Sequence, residues 1–202
     1  MADTDARDDG NTEVSASEIN LTNQFLIAMP GMADPTFNGS VVFLCEHSRR
    51  GALGLVINKP TDITLRGLFE KVELSLDRAE FNEQPVLYGG PVQTERGFVL
   101  HESTGQAYTS SLAIPGGLEM TTSRDILEAV AGGSGPARMQ IMLGYSGWSA
   151  GQLEDELSRN GWLTVQADPA VIFDTPVEQR FTRALSLLGV DPSFLSQEAG
   201  HA

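Results

Sequence analysis

The chain is poor in the features that mark exported or membrane-bound proteins. It has one cysteine in 202 residues, so it cannot form an internal disulfide, and this cysteine usage is typical of a reducing compartment. It has no run of about 18 apolar residues, so we expect no membrane-spanning helix and no membrane partner. Its first residues lack the basic start and apolar stretch of a secretory signal. We therefore expect a cytoplasmic protein.

Basic side chains are also scarce. The chain has 13 lysines and arginines against 27 acidic residues, a net charge of −14 at pH 7. Nucleic-acid binders neutralise phosphates with clustered Lys and Arg, so this balance opposes direct binding to DNA or RNA. Residues 1–19 carry −5 of the charge, and their polar composition predicts a disordered acidic tail. The remaining −9 belongs to residues 20–202, which we expect to form a single domain.

Short apolar runs separated by glycine and proline predict seven strands. They cover residues 25–29, 41–45, 52–58, 86–88, 97–101, 139–143 and 162–166. Capping residues predict four helices, which begin after Thr64, Thr122, Ser149 and Thr175. Strands dominate the first half and a regular βαβ order is absent, which favours an α+β fold over a doubly wound parallel sheet. Glycine-rich strands favour a sheet that curls toward a barrel.

The most compact polar cluster is Cys45–Glu46–His47, at the end of the second predicted strand. On a regular strand Cys45 and His47 face one side and Glu46 the other. His47 could then lower the pKa of the thiol, or the pair could join His101 as metal ligands. A lone cysteine on an apolar strand is more often a small buried hydrophobe, and we favour this structural interpretation. We therefore predict no catalytic residue, no metal site and no cofactor.

Four further residues are candidates for a ligand or partner surface. Asn58 and Lys59 follow the third predicted strand, where they form a turn or present a lysine to an anionic ligand. Gly89 and Gly90 permit unusual backbone dihedrals or a close approach of the main chain to a ligand or partner.

Other motifs favour structural roles. The segment GYSGW resembles a nucleophile elbow, but Trp148 stands where that motif requires glycine. Trp148 and Trp162 flank the third predicted helix, where we expect them to pack in the core. Arg49, Arg50 and Lys59 lie near strand ends and could form a local basic patch.

Six segments in order resemble the YqgE/AlgH family, from about Leu21 to the C-terminus. They read FLIAMPGMADPTFNGSVVFLCEH, GALGLVINKP, LYGGPVQTERGFVLHE, TTSRDILEAV, GYSGWSAGQLEDEL and WLTVQADPAVIFDTP. The resemblance implies an α+β fold in which a small closed β-barrel and additional strands are surrounded by helices. It also implies a cytosolic protein of a family whose biochemical role is unsettled, some members of which carry a name denoting transcriptional regulation. It brings no catalytic residues that can be carried onto this chain.

The leading functional hypothesis is a non-enzymatic binding or regulatory module that contacts an unknown protein or small molecule. Two alternatives stay open. One is a thiol-based enzyme or redox sensor that uses Cys45 and His47, and the other is a transcriptional regulator that acts indirectly.

Overall fold

The computed structural model describes residues 19–189, and within this range it contains ten strands and five α-helices. The strands are β1 (Gln24–Ala28), β2 (Val41–Ser48), β3 (Gly51–Val56), β4 (Pro60–Thr64), β5 (Pro85–Tyr88), β6 (Val92–Glu102), β7 (Ser111–Ile114), β8 (Leu118–Thr121), β9 (Met139–Ser149) and β10 (Trp162–Gln166). The helices are α1 (Leu65–Lys71), α2 (Asp125–Ala131), α3 (Gln152–Ser158), α4 (Pro169–Phe173) and α5 (Arg180–Ser186). The predicted tail, up to residue 18, lies outside the described residues.

One curled, mostly antiparallel sheet organises the molecule. Its strands follow the order β10-β1-β2-β3-β9-β6-β8-β7, and every pair along this path is antiparallel. The strand β5 lies off this path, antiparallel to β4 and parallel to β9. The predicted mixture of helices with a curled, mainly antiparallel sheet is therefore confirmed. The path begins at β10 and ends at β7, so the sheet is a half-barrel, and the closed barrel implied by the resemblance is not confirmed.

The sheet bends sharply within β9, which changes partners along its eleven residues. Its first part pairs with β5 and β6, whereas Ser146–Ser149 pairs with β3. Gly144 lies two residues before the part that pairs with β3 and has a φ of 74°, a conformation that residues other than glycine rarely adopt. A Cβ atom added there would lie 2.4 Å from the carbonyl oxygen of Gly90. The bend therefore requires glycine, and it directs the end of β9 toward α3.

Three apolar clusters pack on the sheet. The first lies against α4 and α5, the second under α1 and α2, and the third under α3. Their members include Phe25, Phe43, Leu55, Val171 and Leu185 in the first, Leu65, Phe69, Ile126 and Val130 in the second, and Leu44, Val56, Trp148, Leu153 and Trp162 in the third. Burial of each large apolar side chain contributes roughly 1.5–3 kcal/mol to stability. The helices are short, so this packing holds them in place.

Helix capping agrees with the sequence at α1 and differs near α5. The hydroxyl of Thr64 accepts a hydrogen bond from the Gly67 backbone N–H at 3.2 Å, which confirms the predicted cap. The predicted cap at Thr175 is wrong, because its hydroxyl donates to the carbonyl of Ala170 at 3.0 Å and α5 begins only at Arg180. None of the helices within residues 19–189 is long and apolar enough to cross a membrane.

Candidate functional site

A β-bulge separates the two residues of the expected Cys45–His47 pair. The pairing of β2 with β3 runs Leu44 with Gly54 and then Glu46 with Leu53, so Cys45 is an extra residue. Such a residue reverses the alternation of side chains along the rest of the strand. Cys45 consequently joins the apolar cluster against α4 and α5, whereas His47 points toward α3. The prediction that both face the same side is wrong.

Cys45 is an interior side chain. It is 1% exposed, and burial, followed by the charge of Glu46, raises the pKa of its thiol far above the ordinary value. Burial disfavours the charged thiolate, which is the nucleophilic form. The adjacent Glu46 is exposed. Burial and the raised pKa therefore both disfavour a thiolate at Cys45 near neutral pH.

His47 connects α3 to β2 and to the segment that precedes β1. The Leu21 backbone N–H donates to its Nδ1 at 3.0 Å, and its Nε2 lies 2.9 Å from Oε1 of Glu154 on α3. A backbone N–H can only donate and a carboxylate can only accept, so Nδ1 accepts from Leu21 and Nε2 donates to Glu154. The pKa of Glu154 is lowered, first by a backbone hydrogen bond and then by His47.

His101 lies in a different part of the protein. It is fully buried on β6, where its Nδ1 donates to the Glu102 carbonyl at 2.8 Å and its Nε2 accepts from the Thr121 hydroxyl at 2.9 Å. Both ring nitrogens are therefore used within the core. Across residues 19–189, no group of three or more His, Cys, Asp or Glu side chains is arranged to hold a metal ion.

Gly89 and Gly90 allow a close approach of main chains within the protein. The Gly89 N–H donates to the Leu143 carbonyl at 2.8 Å, and its own carbonyl accepts from the Val56 N–H at 2.9 Å. A Cβ atom at Gly90 would lie 2.2 Å from the carbonyl carbon of Tyr145. The segment against which these glycines pack is the bend of β9.

Asn58 and Lys59 hold the loop between β1 and β2. Asn58 accepts a hydrogen bond from the Val41 N–H and donates to the Gly39 carbonyl, both at 2.8 Å. Lys59 donates to the Thr36 carbonyl at 2.5 Å. Burial lowers the pKa of Lys59, and the charge of Asp34 opposes this effect. These side chains therefore fix a loop, and that loop forms one wall of the recess described next.

A recess of about 610 Å³ lies between this loop, the end of β9 and α3. We call it the tryptophan recess, and its principal lining residues are Met29, Met32, Phe37, Trp148, Glu156 and Trp162. The two tryptophans are the only ones in the chain, and they keep 6% and 4% of their surface exposed. The Phe37 ring lies 6.2 Å from that of Trp148 and 5.6 Å from that of Trp162, and the two indole rings are 6.1 Å apart. Three aromatic rings therefore meet at this wall.

The carboxylate of Glu156 joins the two indoles. Its Oε2 accepts hydrogen bonds from Nε1 of Trp148 at 3.0 Å and of Trp162 at 2.8 Å. Its Oε1 accepts from the Gln152 side-chain amide at 3.0 Å. Hydrogen bonds to an ionised acceptor are stronger than neutral ones, so they fix the orientation of both rings. The recess is consequently a pre-organised surface.

Sequence reasoning assigned Trp148 and Trp162 to the core and did not single out Glu156. The burial of the indoles agrees with this assignment, but both residues also line the recess. A signal was present, because the chain has only two tryptophans and both flank α3. The sequence could not show that the loop carrying Phe37 packs beside α3, because no local pattern relates these two segments.

The fold and this geometry define a mixed α/β protein with a half-barrel sheet and an aromatic recess. The AlgH-like family model matches residues 25–193. A UPF0301 protein of Ralstonia pickettii is 71% identical over 184 residues, which are 91% of this chain and 96% of that relative. A UPF0301 protein of Cupriavidus pinatubonensis is 70% identical over 93% of this chain and 98% of that relative. The chain belongs to the AlgH-like family, and the resemblance to YqgE/AlgH proteins is confirmed.

Solved structures agree with this assignment. The solution structure of the AlgH protein from Pseudomonas aeruginosa matches with a TM-score of 0.74 and 50% identity, over 93% of this chain and 98% of that chain. A crystal structure of a Corynebacterium diphtheriae protein matches with a TM-score of 0.63 over 82% of this chain and 87% of that chain. At 19% identity, that second likeness concerns the fold alone.

Proposed function

We propose that the protein is a non-enzymatic binding module of the cytoplasm and that its ligand occupies the tryptophan recess. The observation that carries this proposal is the carboxylate of Glu156, which fixes two indole rings in the wall of a cavity. A tryptophan in a core needs only one hydrogen-bond partner for its indole N–H. Here both indole N–H groups donate to the same carboxylate, which lies beside a cavity. A regulatory role would follow if occupancy of the recess altered the adjoining loop.

The dimensions of the recess support a small ligand. Its volume of about 610 Å³ falls within the roughly 300–1,000 Å³ of typical ligand pockets. Its walls combine aromatic rings and thioethers with a few polar groups, which is the usual composition of such sites. Asn58 and Lys59 support this site indirectly, because they hold the loop that carries Phe37.

The alternative of a thiol-based enzyme or redox sensor receives little support. Cys45 is buried, its thiol pKa is raised, and His47 faces a different side of β2. The alternative of direct DNA binding is opposed by the net charge of −14. Arg49 and Arg50 precede β3 whereas Lys59 follows it, so roughly 20 Å of strand separates them. Indirect regulation through a bound ligand or protein is compatible with the proposal.

Intrinsic fluorescence provides a direct test, because both tryptophans of the chain line the recess. A panel of small amines, carboxylic acids, sugars and aromatic compounds is titrated, and the emission and the melting temperature are recorded. The variant Ala33→Phe places a ring at the mouth of the recess, where Ala33 is exposed. Ala107→Phe is the matched control, since Ala107 is exposed outside the recess.

The proposal predicts at least one compound that changes the emission with saturation and raises the melting temperature. Ala33→Phe should abolish this response, and Ala107→Phe should retain it. If no compound in the panel gives a saturable response, or if Ala33→Phe binds as the original chain does, the recess is not the binding site.

A further inference from the structure

The recess contains a negative charge without a matching positive one. Glu156 is half-buried, and its hydrogen-bond partners among residues 19–189 are two indoles and one amide, all of them neutral. Arg159 also lines the recess, but its guanidinium pairs with Asp155 at 3.0 Å and its side chain is 76% exposed. Asp34 adds a second carboxylate to the lining, but its charge interacts with that of Lys59 beside the same loop, so Glu156 is the carboxylate on which the argument depends. A ligand entering this space therefore meets a negative potential.

The aromatic wall of the recess also favours a positively charged ligand. The faces of aromatic rings attract cations, and tryptophan does so most strongly. A hydrogen bond from an indole N–H to a carboxylate polarises the ring, which makes its face more negative. Both indoles carry this hydrogen bond to one carboxylate. Met29 and Met32 complete an apolar wall that can adapt to the body of a ligand.

We propose that the ligand of the tryptophan recess is a small organic cation, an amine or alkylated ammonium group attached to an apolar body. This inference rests on the proposed function and specifies its ligand class. The cationic head lies beside Glu156 and the half-buried Phe37 ring, and the apolar body lies along the two methionines. The net charge of −14 adds a long-range attraction that increases the rate of encounter.

Three probes of similar size and different charge test the ligand class. They are benzyltrimethylammonium, benzyl alcohol and benzoate, each titrated into the full chain with tryptophan fluorescence as the readout. Probes of this size bind with dissociation constants on the order of 1 mM even in a good site. We expect the cation to bind about tenfold more tightly than the alcohol. Benzoate should bind more weakly than either.

Two variants on the same helix separate a local effect from the general field. Glu156→Gln and Glu154→Gln each remove one negative charge from α3, but Glu154 faces His47 and does not line the recess. Glu156→Gln should weaken binding of benzyltrimethylammonium about fivefold and leave benzyl alcohol within about twofold. Glu154→Gln should leave both within about twofold. A melting curve verifies that each variant is folded.

The outcomes distinguish the two proposals. If benzyl alcohol or benzoate binds as tightly as the cation, the ligand class is wrong while the recess remains a binding site. If Glu156→Gln and Glu154→Gln weaken the binding of benzyltrimethylammonium by the same factor, only the overall charge of the protein matters and the inference is overturned. If neither benzyltrimethylammonium nor any amine of the wider panel binds while other compounds do, the ligand class is wrong. If nothing in the panel binds, the proposed function itself fails. The three-probe series needs no variant, so it decides the ligand class even if Glu156→Gln does not fold.

Discussion

Replacement of Gly144 by alanine tests whether the bend of β9 depends on the close approach of two main chains. Gly144 has a φ of 74°, and an added Cβ would lie 2.4 Å from the Gly90 carbonyl oxygen and 3.0 Å from that of Val92. Gly151 is a matched control, since its φ is 76° but an added Cβ meets nothing within 4 Å. Both substitutions impose the same backbone strain, and only the first also creates a collision.

The expected magnitudes follow from these two effects. A residue with a side chain in the left-handed region costs about 1 kcal/mol, so Gly151→Ala should lose about this much stability. Overpacking against rigid main chain adds roughly 2 kcal/mol, so Gly144→Ala should lose about 3 kcal/mol. With a urea m-value of about 2 kcal/mol/M, Gly144→Ala should unfold about 1 M earlier than Gly151→Ala.

Urea unfolding followed by circular dichroism measures both variants. The folded Gly144→Ala variant should also show altered tryptophan emission, because the bend precedes Trp148 on β9. Equal midpoints for the two variants would refute the argument, since the collision with Gly90 would then carry no energetic cost.

Three further predictions concern groups outside the recess. The burial that raises the pKa of Cys45 should keep it unreactive toward iodoacetamide at about pH 8 until urea unfolds the chain; rapid labelling of the folded protein would contradict this. The pKa of Asp125 lies below its ordinary 3.8, chiefly because its carboxylate accepts a hydrogen bond from Ser123. The ionised carboxylate therefore stabilises the fold above about pH 4, and this stabilisation is lost as the pH falls. Asp125→Asn should therefore be less stable than the original chain above about pH 5, and the difference should shrink as the pH falls below about 4; a constant difference across a pH series would refute this. Asn58→Ala should lower the free energy of unfolding by roughly 1–3 kcal/mol, because the Val41 N–H loses its hydrogen-bond partner. An unchanged midpoint in urea unfolding would show that this hydrogen bond is dispensable.

The local parts of the fold could be predicted from the sequence. The strand Trp162–Gln166 has the predicted bounds, and the Thr64 cap begins α1 as expected, because both depend on residues close in sequence. The short strands β4, β7 and β8 were not predicted. β4 begins with Pro60, a residue that normally ends a strand, and the other two have only four residues each. β7 and β8 pair with each other as a short hairpin, whereas β4 pairs with β5, which lies beyond α1 in the chain.

The candidate site was harder to predict, because it depends on long-range arrangement. One extra residue at Cys45 turns His47 to the opposite face, and no local pattern indicates a bulge there. The recess combines a loop after β1 with the end of β9 and one face of α3, and these last two lie more than a hundred residues after the loop. Glu156 also belongs to an acidic run that resembles an ordinary solvated helix face. Its role follows only from the positions of the two indoles.

The two indole N–H groups that share Glu156 lie in the wall of the proposed binding site, so they report most directly on its occupancy. A ¹⁵N-labelled chain gives two indole signals, one for each tryptophan. On titration with benzyltrimethylammonium, both signals should shift together with a single dissociation constant. If both stay unmoved while other parts of the spectrum change, the cation binds elsewhere and the account is contradicted.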